Sequence, residues 1–209
     1  GLYGAVMFAK ACMDEGIQPI IGTLIGVARD PDGRQVDYLP LFAQDDVGYN
    51  NLCHLVSSAH LDRPLAQEPH IAFDDLGGRT EGLIALTGAA QGAVTRLLGQ
   101  GQQSRAKTML DRLETLFPGR LYLELSRTGD AVETAAEEAL IELAYARDLP
   151  LVATNPAQFG EPHQHKAHDA MLCIAGSTHV DAEDRARSNP EAWVKSARMM
   201  EEIFADLPE

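Results

Sequence analysis

The stretch LYLELSRTGDAVETAAEEALIELAYARDLPLVATN, residues 121–155, carries the pattern that decides the fold. It opens with a short alternating run, LYLEL, which is typical of a β-strand. A helix-length segment follows at 131–147, and its apolar residues around Leu140 and Leu143 recur at helical spacing. The run LPLVATN then predicts a second strand, buried at Val152 and Ala153, that ends in a loop. Strand, helix and strand in this order favour βα units around a mostly parallel sheet, and therefore an α/β fold.

Two strands of a different kind are predicted nearer the N-terminus. The β-branched run at 17–28 and the run VDYLPLFA at 36–43 are separated by DPDG at 30–33. Because proline and glycine favour a tight turn, this segment predicts an antiparallel hairpin. Asp45 and Asp46 then occupy the place of a helix N-cap.

The remaining elements follow from apolar residues spaced three and four apart. GLIALTG at 82–88 predicts another strand. The helices are predicted near 3–15, 46–56, 94–98, 106–116, 131–147, 167–174 and 190–204.

Composition narrows the classes of function. The 209 residues, 45% of them hydrophobic, are enough to bury a large core, and acidic residues outnumber basic ones by 31 to 17. This charge repels phosphate backbones, so we do not expect this chain to bind nucleic acid by itself. The three cysteines are widely spaced, which is typical of reduced thiols in a cytoplasmic protein, and no membrane span is predicted.

Two features could carry chemistry at the ends of the strands. His163, His165 and His168 lie in HQHKAHD, and histidine is the commonest metal ligand in proteins. The same string also fits a solvated loop followed by a helix in which His168 turns inward to a backbone partner. Glu124 is the one acidic residue within a strand pattern, and it could face a barrel interior or form an ion pair.

Several strings in this order resemble the PHP (polymerase and histidinol phosphatase) domain of bacterial DNA polymerase III alpha subunits. They are GLYGAVMFAKACMDEGIQPIIG, GYNNLCHLVSSAH, EGLIALTG, LYLELSRTG, LPLVATN, AHDAMLCI and FADLPE. The resemblance implies a distorted (βα)7 TIM-like barrel that is incomplete because its first βαβ portion is missing. It further implies a PHP domain over 1–188 and, at 189–209, a C-terminal helix leading toward the polymerase core.

Metal-bearing members of this family hold up to three ions at the strand ends. The resemblance places five of their ligand positions on residues that are poor or impossible ligands: Leu24, Tyr38, Ala89, Pro156 and Gln158. Leucine, alanine and proline side chains offer no donor atom, so we expect neither a metal site nor catalytic residues in this chain. Asn155, His168 and Glu124 are what could remain as a polar site.

The resemblance therefore implies a structural and docking module of a replicative DNA polymerase. Its expected partners are the rest of the alpha subunit and the proofreading exonuclease subunit, with DNA reached only through other domains. No cofactor is expected for this segment, although the parent polymerase would use Mg. The alternative is a divergent metal-dependent phosphoesterase or 3′-5′ exonuclease that uses Zn or Mn at His163, His165, His168 and Glu124.

Overall fold

The computed structural model describes residues 1–30, 32–33, 35–64 and 66–208. Strands β1 (Gly22–Ala28) and β2 (Val36–Ala43) pair antiparallel, with Gly26 opposite Tyr38. The predicted hairpin is confirmed, while the turn predicted at 30–33 includes Pro31, which lies outside the described residues. β1 begins at Gly22 rather than at residue 17. Pro19 lies in the part of the predicted run that is not strand, and proline has no N–H to donate to a strand partner.

The sheet has five strands in the order β1-β2-β3-β4-β5, with β3 (Leu83–Leu86), β4 (Leu121–Leu125) and β5 (Leu151–Ala153). β2 is antiparallel to both of its neighbours, whereas β3, β4 and β5 run parallel. Four of the five strands therefore point the same way, and the mostly parallel α/β sheet is confirmed. In the described part of the chain this sheet runs from β1 at one edge to β5 at the other.

Seven α-helices are described, and their bounds are α1 (Ala5–Asp14), α2 (Asp46–Leu61), α3 (Ala93–Gly99), α4 (Gln103–Leu116), α5 (Ala131–Arg147), α6 (His165–Ala175) and α7 (Ala197–Ile203). The predicted cap of α2 is confirmed, because the Asp45 carboxylate accepts the Gly48 N–H at 2.8 Å. The last helix was predicted to begin at Pro190 but begins at Ala197. Ser196 caps it by accepting the Met199 N–H, and Trp193 in the preceding segment instead forms a bridge with Phe159.

The core lies between the sheet and helices α2 to α5. α2 packs on β1 and β2, and α3 packs against α4 and α5. Side chains that are almost fully enclosed include Leu41, Leu52, Leu83, Leu110, Leu123 and Leu140. The prediction that Val152 and Ala153 are buried is wrong, because β5 is an edge strand, with Val152 half-buried and Ala153 exposed. No helix in the described ranges is both long and apolar enough to cross a bilayer.

Candidate functional site

The ends of the three parallel strands meet at one carboxylate, that of Glu124 in β4. Its Oε2 accepts the N–H of Gly88, which follows β3, at 3.0 Å. Its Oε1 accepts the hydroxyl of Thr154, which follows β5, at 2.7 Å. Glu124 is buried at 8% exposure. Its oxygens accept from neutral groups, so it does not form the ion pair that the sequence analysis left open. It joins three strand ends through neutral donors.

Gly88 reaches this position because it has no side chain. Its φ is +91°, in the left-handed region that favours glycine. A Cβ added there would lie 2.2 Å from the carbonyl oxygen of Tyr38. The close approach of β3 to β2 therefore requires glycine, and it aims the N–H at Glu124.

Burial raises the pKa of Glu124, because a charged carboxylate is poorly solvated in this environment. The hydrogen bonds from Thr154 and Gly88 lower the pKa and offset part of this effect, whereas the nearby Glu133 carboxylate raises it. Both oxygens are already used by donors of the protein itself. The carboxylate thus serves the packing of the strand ends.

The five residues at the inferred ligand positions are spread along the sheet. Leu24 lies within β1 and is 47% exposed, and Tyr38 lies in β2. Ala89 begins the 3-10 helix Ala89–Gln91, directly after the Gly88 that contacts Tyr38. Pro156 and Gln158 are exposed in the loop after β5, at the opposite edge of the sheet.

Two of the three histidines, His165 and His168, contact one serine. The Nδ1 of His168 lies 2.7 Å from the Ser188 hydroxyl, and the Nε2 of His165 donates to the Ser188 carbonyl at 3.0 Å. The ring of Phe159 packs on both imidazoles, with centroids 5.4 Å from His168 and 6.1 Å from His165. The backbone partner predicted for His168 is wrong, since its partner is a side chain. His163 is exposed in the 3-10 helix Pro162–Gln164.

Asn155 stabilises the loop that follows β5. Its Nδ2 donates to the carbonyl of Trp193 at 2.7 Å, and the N–H of Gln158 donates to the carbonyl of Ala192 at 2.8 Å. These bonds attach the segment before α7 to the end of β5. Asn155 thus satisfies a backbone carbonyl, while Thr154 donates to the carboxylate of Glu124.

The donor set does not fit a multinuclear metal centre. Across the ranges that the structure describes, no three His, Cys, Asp or Glu side chains are grouped so that they could hold one ion. Leu24, Ala89 and Pro156 have no donor atoms in their side chains. No reaction step through a metal follows from these residues.

Two of the residues that order the histidine cluster, Arg185 and Ser188, had no signal in the sequence. Asp169 forms a two-pronged ion pair with Arg185, at 2.7 and 2.8 Å, and accepts the N–H of Ser188 at 2.9 Å. The Arg185 guanidinium and the Ser188 N–H hold the pKa of Asp169 well below its usual range. Ser188 and Arg185 lie in a stretch without periodicity, some 20 residues from their partners, so only the fold reveals them.

Comparison with known proteins shows which family this chain resembles. The family profile described as PHP domain matches residues 1–128. The chain is 39% identical to the DNA polymerase III subunit alpha of Caulobacter vibrioides, covering 100% of this chain and 19% of that protein. It is 37% identical to the same subunit of Escherichia coli strain K12 and 34% identical to that of Vibrio cholerae, in each case over 100% of this chain and 18% of the relative.

The chain thus spans less than a fifth of the curated relatives it matches. The family profile covers the hairpin, β3, β4 and the helices between them, including Gly88 and Glu124. The chain belongs to the PHP domain family.

Proposed function

We propose that this chain is the PHP portion of a DNA polymerase III alpha subunit, and that its role there is structural and not catalytic. Alignment over the entire chain with alpha subunits of three genera supports this assignment. In this proposal residues 1–188 belong to the domain, built as part of a (βα)7 barrel, and residues 189–209 lead toward the polymerase core. The parent protein would act in the cytoplasm as a DNA-directed DNA polymerase that uses Mg in its other domains.

The observation that carries the structural role is the state of Glu124. It is the carboxylate at which the parallel strands end, and both of its oxygens accept hydrogen bonds from Gly88 and Thr154. These two hydrogen bonds hold the residues that follow β3 and β5 against β4, which is a structural task. The replaced positions at Leu24, Tyr38, Ala89, Pro156 and Gln158 support the same conclusion.

We further propose that the domain docks the proofreading exonuclease subunit. The formal charge of −14 at neutral pH suits a protein-facing module better than a surface that grips DNA. DNA would then reach the parent protein only through its other domains. No observation on the strand ends favours the alternative of an intrinsic phosphoesterase or exonuclease.

Co-elution of the full-length alpha subunit with its exonuclease subunit tests this role. Deletion of residues 1–188 should abolish co-elution in gel filtration, while primer extension by the deleted protein reports whether the polymerase core stays folded. Gln158→Ala should leave co-elution intact, since that loop no longer serves a site. Co-elution that survives the deletion would contradict the docking role. Loss of co-elution with Gln158→Ala would contradict the proposal that the loop after β5 no longer serves a site.

A further inference from the structure

An arginine-lined cleft lies between the hairpin and helices α3 and α4. Its volume is about 550 Å³, within the range of roughly 300–1,000 Å³ that small-molecule sites occupy. Among the described residues that line it, the charged ones are four arginines and two aspartates: Arg29, Arg96, Arg105, Arg112, Asp30 and Asp37. The cleft is therefore locally positive in a strongly acidic chain.

Asp37 fixes two of these guanidinium groups. Its Oδ1 accepts the Nε of Arg29 at 2.8 Å and the Nε of Arg96 at 2.7 Å, and its Oδ2 accepts the Nη2 of Arg96 at 2.8 Å. The Asp37 side chain is only 8% exposed. One carboxylate thus orients two cations.

Amide side chains hold the same arginines from the other side. Gln35 accepts from Arg29 at 3.4 Å, and Gln100 accepts from Arg96 at 3.3 Å. These contacts fix the guanidinium planes before any ligand arrives, which lowers the entropy lost on binding.

The N-terminus of α4 adds a second feature that suits an anion. Gln102 is the N-cap of this 14-residue helix and makes no side-chain capping hydrogen bond. Gln102 and Arg105 both line the cleft, so the positive end of the helix dipole lies at its wall. Arg105 donates to the Gln102 amide at 2.5 Å and adds its charge at the same place.

Part of the lining is apolar, with Phe73, Leu97 and Met109. The guanidinium of Arg112 stacks over Phe73 at 3.8 Å from the ring centroid and is also paired with Asp74. A ligand with an anionic group and a flat or apolar body could contact the arginines with the first part and the apolar side chains with the second.

We propose that this cleft binds the phosphate group of a small phosphorylated molecule, with a nucleoside phosphate as the best-fitting source and free phosphate as the simplest one. Arginine forks match phosphate oxygens in two-pronged hydrogen bonds, and the N–H groups at the start of α4 complete the set of donors. The assignment does not rest on the docking role, since the cleft and the strand-end loop of Gln158 are different parts of the sheet.

Hydrogen–deuterium exchange with peptide resolution, on the full-length protein that contains this chain, tests the proposal. Adenosine triphosphate should slow exchange in the first turn of α4, at residues 103–105, in a saturable way. Adenosine alone should not do so. Protection by inorganic phosphate at the same concentration supports the site and identifies free phosphate as a sufficient ligand.

Two cleft variants and one control complete the experiment. Arg29→Gln and Arg105→Gln should each weaken the protection by about tenfold in ligand concentration, as expected for loss of one charge-assisted hydrogen bond. Arg198→Gln makes the same charge change on α7, outside the cleft, and should have no effect. Three results would overturn the proposal. They are protection by adenosine alone, no protection by adenosine triphosphate or by inorganic phosphate, and equal protection in Arg105→Gln and Arg198→Gln.

Discussion

Helices α1 and α5 both present apolar residues at helical spacing, yet only α5 has them covered. α5 buries Ala136, Leu140, Leu143 and Ala144 against the sheet and its neighbours. α1 has no buried residue at all. Its half-buried positions are the small ones, while its large apolar side chains are exposed: Val6, Met7, Phe8 and Met13.

This difference shows that a row of apolar residues on one helix face predicts the helix but does not show whether another element covers that face. The pattern around Val6 and Phe8 predicts a helix correctly, because spacing is a local property. Burial depends on which elements lie opposite, and α5 has the sheet and α3 for this purpose. Stability should therefore be concentrated between β3 and β5 and be low in α1.

The largest expected effect is that of Leu123→Ala in β4. Leu123 is fully enclosed, so the substitution should leave a cavity and lower the free energy of unfolding by about 2–5 kcal/mol. Met7→Ala in α1 is the control, because Met7 is 79% exposed and should change that energy by less than about 0.5 kcal/mol. Urea unfolding measures both, and equal losses would show that α1 is packed in solution.

Thr154→Val should have an intermediate effect that depends on pH. The substitution removes the hydroxyl that donates to Glu124, at a cost of about 1–3 kcal/mol while the carboxylate is charged. Because this hydrogen bond lowers the pKa of Glu124, its removal raises that pKa further. The loss of stability should be full above the folded-state pKa of Glu124 and should shrink as the pH falls below it.

Unfolding measured at several pH values checks this prediction. Thr134→Val is the matched control, since the Thr134 hydroxyl donates to the Asp130 carbonyl in an exposed turn of α5. A loss in Thr154→Val that grows toward acid pH would mean that Glu124 is protonated in the hydrogen bond and would refute the assigned roles.

The smallest effect should come from Arg127→Gln, which loosens the C-terminus. Arg127 pairs with Glu137 in α5 and with Asp206 beyond α7, and it donates to the Ile203 carbonyl at 2.7 Å. This arginine lowers the pKa of Asp206 to about 2, so the contact should persist until the pH falls through that value. Faster hydrogen exchange at 197–208, with unchanged exchange in β4, is the expected result. Unchanged exchange at 197–208 would show that the pair does not hold α7.

The sequence predicted those parts of the fold that depend on local pattern. The hairpin, the cap at Asp45 and the alternation from β3 to β5 all follow from residues within one turn or one strand of each other. The start of α7 was wrong because the capping hydroxyl of Ser196 had no periodicity to mark it. The burial of β5 was wrong because an apolar run does not tell an edge strand from a central one.

The site was predictable only in part for the same reason. Glu124 was singled out by its strand pattern, Asn155 and His168 were named with it as a possible polar site, and each makes a specific hydrogen bond in the structure. Their partners could not be read from the sequence, since Thr154 is 30 positions from Glu124. The arginine cleft was missed entirely, because Asp37 and Arg96 are 59 positions apart and meet only in the folded chain.

Metal analysis of the full-length protein, purified without chelators, tests the central claim most directly. The account predicts no stoichiometric zinc or manganese per chain, and the same result in His168→Ala and in the exposed control His179→Ala. Stoichiometric zinc or manganese that is lost in His168→Ala but retained in His179→Ala would contradict it. That result would establish a metal site in a domain to which we assign a structural role.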